Sequence, residues 1–170
     1  MSGTIRGFLF DMDGVIIDSM PMHTQTWVEY LAALGVAVDD LATRMHGRKN
    51  EEIVRDFLDP TLDLDKAAWH GEQKEILYRE KMGLLVEQHL IAGVREFLSH
   101  WAEFPKAIGT NAEMANVDLV LSKAKLEGVF HAIVDASQVR RPKPWPDVYL
   151  RAAVLLDLSP QDCVVFEDSP

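Results

Sequence analysis

Gly7-Phe8-Leu9-Phe10-Asp11-Met12-Asp13-Gly14-Val15 decides how the rest of this chain is read. An apolar strand runs directly into two aspartates one residue apart. A buried strand ordinarily ends in turn residues, and two carboxylates this close repel and raise each other's pKa unless a proton or a cation sits between them. A hard divalent ion such as Mg²⁺, bound by one or two carboxylates with water and phosphate oxygens, relieves that repulsion. The stretch therefore points to metal-assisted phosphoryl chemistry. Its competitor is a polar turn whose aspartates cap the next element.

The surroundings decide between them. Short apolar segments at Ile5–Phe10, Lys106–Gly109, Ala132–Val134 and Cys163–Phe166 are bounded by polar or turn residues and read as buried strands. Helical patterns precede the last three, at Val94–Trp101, Met114–Leu126 and Val148–Leu156. Strand alternating with helix implies a parallel sheet with helices on its faces. Ligands of such sheets collect at the carboxyl ends of the strands. Asp11 and Asp13, Thr110 and Asn111, and Glu167 and Asp168 all fall there.

Residues from about 19 to 87 read differently, as capped helices without a strand. Asp18 or Ser19 caps a helix through Trp27, Tyr30, Leu31 and Leu34 that Gly35 closes, Asn50 caps Glu51–Leu58, and Asp63 or Asp65 starts a long helix to Met82, stopped by Gly83. A block of this length between two strands is a subdomain rather than a crossover. The alternating charges of Glu72–Lys81 read as a solvated helix face, and the four tryptophans as packing residues.

Bulk composition sets the remaining bounds. The 170 residues are enough for a real core, and 48% hydrophobic content with a mean hydropathy of −0.05 describes a globular protein. A net charge of −10 argues against a general nucleic-acid binder. No apolar run is long enough to cross a bilayer and no signal peptide is visible, so no membrane partner is expected. The single cysteine, Cys163, reads as a small buried thiol and points to a reducing, cytoplasmic location.

Four elements line up in chain order: Asp11-Met12-Asp13, Gly109-Thr110-Asn111, Lys143 within Arg141-Pro142-Lys143-Pro144-Trp145-Pro146-Asp147, and Phe166-Glu167-Asp168-Ser169. Together they resemble the haloacid dehalogenase-like superfamily, most closely the branch of β-phosphoglucomutases and small sugar-phosphate phosphatases. That resemblance implies an α/β, Rossmann-like core at 1–17 and 89–170 with helices on both faces of a parallel sheet, and a helical cap inserted at 18–88 that closes over the substrate. It implies a Mg²⁺-dependent phosphohydrolase acting on a small phosphorylated metabolite, a sugar phosphate foremost. Asp11 is then the nucleophile, and Asp13 the acid and base with its backbone carbonyl on the metal. Thr110 and the Asn111 N–H hold phosphoryl oxygens, Lys143 neutralises charge, and Glu167 and Asp168 complete the Mg²⁺ site with Asp11. Each role fits its residue type. Read singly, Thr110-Asn111 is also a common helix cap, Lys143 a loop charge stiffened by its prolines, and Glu167-Asp168 a polar chain end.

In the cap, His23 matches a position where relatives often carry a histidine facing the catalytic site, with a helix-surface histidine as its rival. The segment His46-Gly47-Arg48-Lys49-Asn50 matches the region that contacts the substrate's far end. Asn50 stands where the mutases carry a phosphate-gripping arginine, for which Arg48 or Lys49 could substitute; this favours a phosphatase over a phosphosugar mutase. The chain stops just after the fourth motif, whereas relatives continue for roughly another fifty residues through a helix and a strand. A truncated fold lacking its last strand and helix is the expectation, with Cys163–Phe166 an unpaired apolar edge open to self-association. A catalytically silent fragment that associates through that edge is thus a further alternative, and haloacid dehalogenation a weaker one.

Overall fold

The computed structural model describes residues 4–37, 39–45 and 48–169. His46 and Gly47 of the cap segment, and Pro170, lie outside the described residues. The chain divides into two compact units, Met1–Asp18 with Leu85–Pro170, and Ser19–Leu84.

The first unit is built on a parallel sheet of β1 (Gly7–Phe10), β2 (Lys106–Gly109), β3 (Ala132–Val134) and β4 (Cys163–Phe166), in the order β3-β2-β1-β4. Successive side chains of β1 alternate between its faces. Phe8 and Phe10 meet Phe97, with ring centroids 5.2 and 5.9 Å away, and Phe10 stacks on Phe166 at 4.8 Å. Leu9 instead joins Ala107, Val134, Val148, Ala152 and Ala153 in a core. Phe97 belongs to the helix Val94–His100, and Val148, Ala152 and Ala153 to Asp147–Leu155, so the sheet carries a helix on each face and the fold is α/β and Rossmann-like. β1 begins at Gly7 rather than Ile5, which is half exposed.

Chain order runs outward from β1 through β2 to β3, then returns to the opposite side of β1 for β4. The crevice beyond the carboxyl ends of β1 and β4 is the switch point at which sheets of this kind bind ligands. β4 is an edge strand of the described sheet, and Val165 on it is 43% exposed. Beside it, Phe8, Phe97, Trp101, Phe104, Val164 and Phe166 line an apolar hollow of about 340 Å³.

The second unit is helical: α1 (Met20–Ala33), α2 (Leu41–Met45), α3 (Asn50–Phe57) and α4 (Leu64–Met82). Trp27, Leu31, Leu41, Met45, Ile53, Val54 and Ala67 form its core. Asp63 caps α4 by accepting from the Lys66 N–H at 2.8 Å. Gly35, at φ +79°, supplies the left-handed turn after α1. Three expectations need correction here. Asn50 is the first residue of α3 rather than its cap, which is Lys49. The run Glu72–Lys81 is no plain solvated face, because Lys74 and Glu75 are almost fully buried. They fall on the stripe Ala67, Gly71, Lys74, Glu75, Tyr78 and Met82, whose helical spacing turns them inward. Of the tryptophans, Trp69 and Trp145 are exposed, so they do not serve packing in the way Trp27 does.

Candidate active site

Asp11 follows the last residue of β1, and its N–H continues the ladder to the Phe166 carbonyl at 2.9 Å. Parallel pairing of Phe10 with Phe166 brings Glu167 and Asp168, just past β4, beside it. Asp11, Glu167 and Asp168 each offer a carboxylate oxygen within 4.8 Å of the others. An all-oxygen donor set of this size could hold a hard divalent ion such as Mg²⁺. Gly14 leaves room for it: its φ is +78°, and a Cβ there would lie 2.1 Å from Asp168 Oδ2. The glycine after the two aspartates is thus required twice over, by backbone and by clearance.

Lys143 reaches into this group from its proline-flanked loop. Its Nζ lies 2.7 Å from Asp11 Oδ1 and 2.9 Å from Glu167 Oε2. Asn111, just past β2, holds that loop with its side chain, accepting from the Lys143 N–H at 3.1 Å and donating to the Lys143 carbonyl at 3.3 Å. Thr110 is fully buried; its N–H donates to the Val134 carbonyl at 2.9 Å and its Oγ1 accepts from the Ala112 N–H at 3.0 Å. Four strand-end and loop segments therefore converge, as their positions in the chain suggested. Asp13 is half exposed in the turn that bridges to Ile17, and among the described residues it is not part of the carboxylate group.

Electrostatics follow from this packing. Burial pushes Asp11 up to about 7, a rise that Lys143 opposes and the charge of Glu167 reinforces. Burial also works against ionised Glu167, but hydrogen bonds from Tyr149 and Lys143 outweigh it and hold the group below its ordinary range. The Tyr149 hydroxyl, raised first by burial and then by its bond to Glu167, stays protonated and donates. Tyr149 carries no chemical motif; only its place two residues after Asp147, on the helix facing the strand ends, could have signalled it.

His23, Arg48 and Lys49 belong to the helical unit. His23 Nδ1 is 2.6 Å from Lys74 Nζ, and its ring stacks on Tyr78 at 3.8 Å. Burial, and then Lys74, lower His23 to about 3, so it is a neutral acceptor and not a helix-surface cation. Lys74 also pairs with Glu75 at 2.8 Å, and Glu75 accepts from the Asn50 amide at 2.9 Å. Arg48 is bound to Asp56 at 2.8 Å and lies 3.8 Å from Glu52. Lys49 is exposed at the start of α3.

A parallel sheet with an acid group and a lysine at its switch point defines a class of α/β hydrolase. Residues 5–170 match the haloacid dehalogenase-like hydrolases, and the chain belongs to that family and is an enzyme of it. It is 34% identical to hexitol phosphatase A of Escherichia coli over 97% of this chain and 75% of that protein. It is 28% identical to the β-phosphoglucomutase of Bacillus subtilis over 97% and 76%. Among solved structures, a family IA, variant 3 hydrolase of Entamoeba histolytica superposes with a TM-score of 0.85 at 28% identity, over 97% of this chain and 76% of that one. Among the described residues no helix is long and apolar enough to cross a membrane.

Proposed function

We propose that this chain is a Mg²⁺-dependent phosphatase of small phosphate esters, sugar phosphates foremost, working through an aspartyl-phosphate on Asp11. The observation that carries the reading is Lys143 Nζ placed between Asp11 and Glu167, 2.7 and 2.9 Å away, with Asp168 alongside. Its resemblance to a hexitol phosphatase supports the choice of ester. Asp11, Glu167, Asp168 and the Asp13 carbonyl would hold Mg²⁺, which when bound supplies positive charge to the phosphoryl oxygens.

The chain's own groups account for the rest. An Asp11 oxygen attacks phosphorus, the ester P–O bond breaks, and the departing alkoxide takes a proton from the Asp13 carboxyl. Asp13, now a carboxylate, takes a proton from water as that water attacks phosphorus. Inorganic phosphate leaves and the Asp11 carboxylate is restored. Lys143 offsets the charge that develops between Asp11 and the phosphoryl group. Thr110 and the Asn111 N–H are assigned to the phosphoryl oxygens.

Substrate choice is assigned to the helical unit, with His23, Lys49 and Arg48 as its candidate contacts. A phosphatase is favoured over a mutase because Asn50 donates to Glu75 and Arg48 is bound to Asp56, which leaves neither committed to a second phosphate. The reading includes a cytoplasmic setting, supported by one free cysteine, Cys163. The test is phosphate release from a panel of hexitol and hexose phosphates with Mg²⁺ or EDTA, beside Asp11→Asn. Mg²⁺-dependent release lost in the variant supports the reading. Equal release by both proteins, or conversion of a hexose phosphate to its isomer faster than release, defeats it.

A further inference from the structure

We infer that Tyr149 is a positioning residue for this reaction, its hydroxyl fixing Glu167 and its ring fixing Lys143. The inference rests on the phosphatase reading above. Tyr149 lies in the first turn of the helix Asp147–Leu155 and packs against the core formed by Leu9, Ala107 and Val134. Its ring is seated on the end of β2, where a Cβ on Gly109 would lie 2.8 Å from Tyr149 Cδ1. Only a glycine permits that approach. The seat is therefore a fixed one, made of backbone.

From this seat the side chain reaches two functional groups. Lys143 Nζ stands 4.8 Å from the ring centroid, a cation–π contact. The hydroxyl donates to Glu167 Oε2, the same oxygen that accepts from Lys143 Nζ at 2.9 Å. Glu167 Oε1 meanwhile accepts from Ser169 Oγ at 3.2 Å. One ring thus ties the end of β2, the lysine loop and the residue after β4 together. Without it, Lys143 would keep Asp11 and the Asn111 clamp, and Glu167 would keep Lys143 and Ser169, but nothing would tie either to the end of β2 through the helix, and each sits on an irregular segment. The two parts of the side chain have separable consequences. The hydroxyl acts on a carboxylate of the metal group, the ring on the ammonium that meets the phosphoryl group.

Calorimetric titration with Mg²⁺ alone reads the first part. Tyr149→Phe keeps the ring and removes the hydroxyl. It is expected to weaken Mg²⁺ binding about tenfold, the lower edge of what loss of a partner behind a metal ligand costs. Tyr149→Leu removes both, and in saturating Mg²⁺ it is expected to weaken inorganic phosphate binding further than Tyr149→Phe does. A merely structural role would lower the melting temperature and leave both isotherms of the folded protein unchanged. A Tyr149→Phe isotherm that superimposes on the parent's overturns the inference while the phosphatase reading stands. A parent that binds Mg²⁺ but frees no phosphate from any ester overturns the phosphatase reading, and the isotherms still judge Tyr149. A parent that binds no Mg²⁺ overturns both.

Discussion

Asp11→Asn should flatten the pH dependence of stability of the metal-free protein. Asp11 has an ordinary pKa of 3.8, and in the folded chain it rises to about 7, chiefly through burial and despite Lys143. Between these values the unfolded chain has released a proton that the folded chain keeps. Stability from this group is therefore complete below about pH 4 and is lost as pH rises through 7. Three units at about 1.4 kcal/mol each give a loss of about 4 kcal/mol by pH 8, of which about 2.5 kcal/mol falls between pH 5 and pH 8. Asparagine cannot titrate, so the variant escapes that loss. It also changes the 2.7 Å contact with Lys143, but the attraction of that ammonium for ionised Asp11 is already contained in the value of about 7, and what remains is a constant offset. The informative quantity is therefore the slope and not the sign at one pH.

Urea unfolding in EDTA at pH 5, 6, 7 and 8 measures it, with the slope m checked for constancy. The free-energy difference, variant minus native, should move in the variant's favour by about 2.5 kcal/mol across that range. Adding Mg²⁺ should then reverse the movement at pH 8. An ion at one hundred times its Kd stabilises the native chain by about 2.7 kcal/mol and should do little for the variant. A difference that is constant with pH, or that moves in the native chain's favour, would refute the desolvation of Asp11 on which this reasoning stands.

Gly14→Ala places a methyl group 2.1 Å from Asp168 Oδ2 at a φ of +78°, so it should cost about 1–2 kcal/mol in stability and weaken Mg²⁺ binding at least about tenfold; unchanged calorimetric binding would remove Asp168 from the metal group. Lys74→Met should cost about 3–5 kcal/mol, because it removes the ammonium that pairs with the buried Glu75 carboxylate at 2.8 Å, and Lys74→Met with Glu75→Leu should recover much of that in urea unfolding. His23 is lowered from 6.5 to about 3, so its contribution is present above pH 6.5 and lost as pH falls toward 3. His23→Gln should accordingly reduce the loss of stability between pH 6.5 and pH 5, and an unaltered acid limb would count against an imidazole held neutral.

The parts of this molecule legible in its sequence are those where residue type and position carry the same message. β2, β3 and β4 fall at the residues their apolar runs mark, and Asp11, Lys143, Glu167 and Asp168 meet because chemistry-bearing letters stand at strand ends in an order that a parallel sheet brings together. What escaped has a common cause. Lys74 and Glu75 are charged letters on a buried stripe, so a reading of charge placed them outside while the spacing Ala67, Gly71, Tyr78, Met82 placed them inside. Asn111 was read for its backbone N–H, yet its side chain clamps Lys143, a partner 32 residues away that no local pattern announces. Tyr149 is defined wholly by what packs around it.

The charge count of the site ties these observations together. Among the described residues, Asp11, Glu167 and Asp168 are paired with one ammonium, Lys143, so full ionisation would leave two negative charges uncompensated by it. The folded chain on its own avoids part of that cost by keeping a proton on Asp11 up to about pH 7, while Tyr149 and Lys143 hold Glu167 ionised. A phosphate ester would add negative charge where there is already an excess, and no second lysine or arginine is paired with these carboxylates among the described residues. On the proposed function, a divalent cation would balance the carboxylates and free Asp11 to act as the nucleophile. Strain of this sort, a buried carboxyl kept at a cost of several kcal/mol, is what a stability optimum would remove and a catalytic site retains.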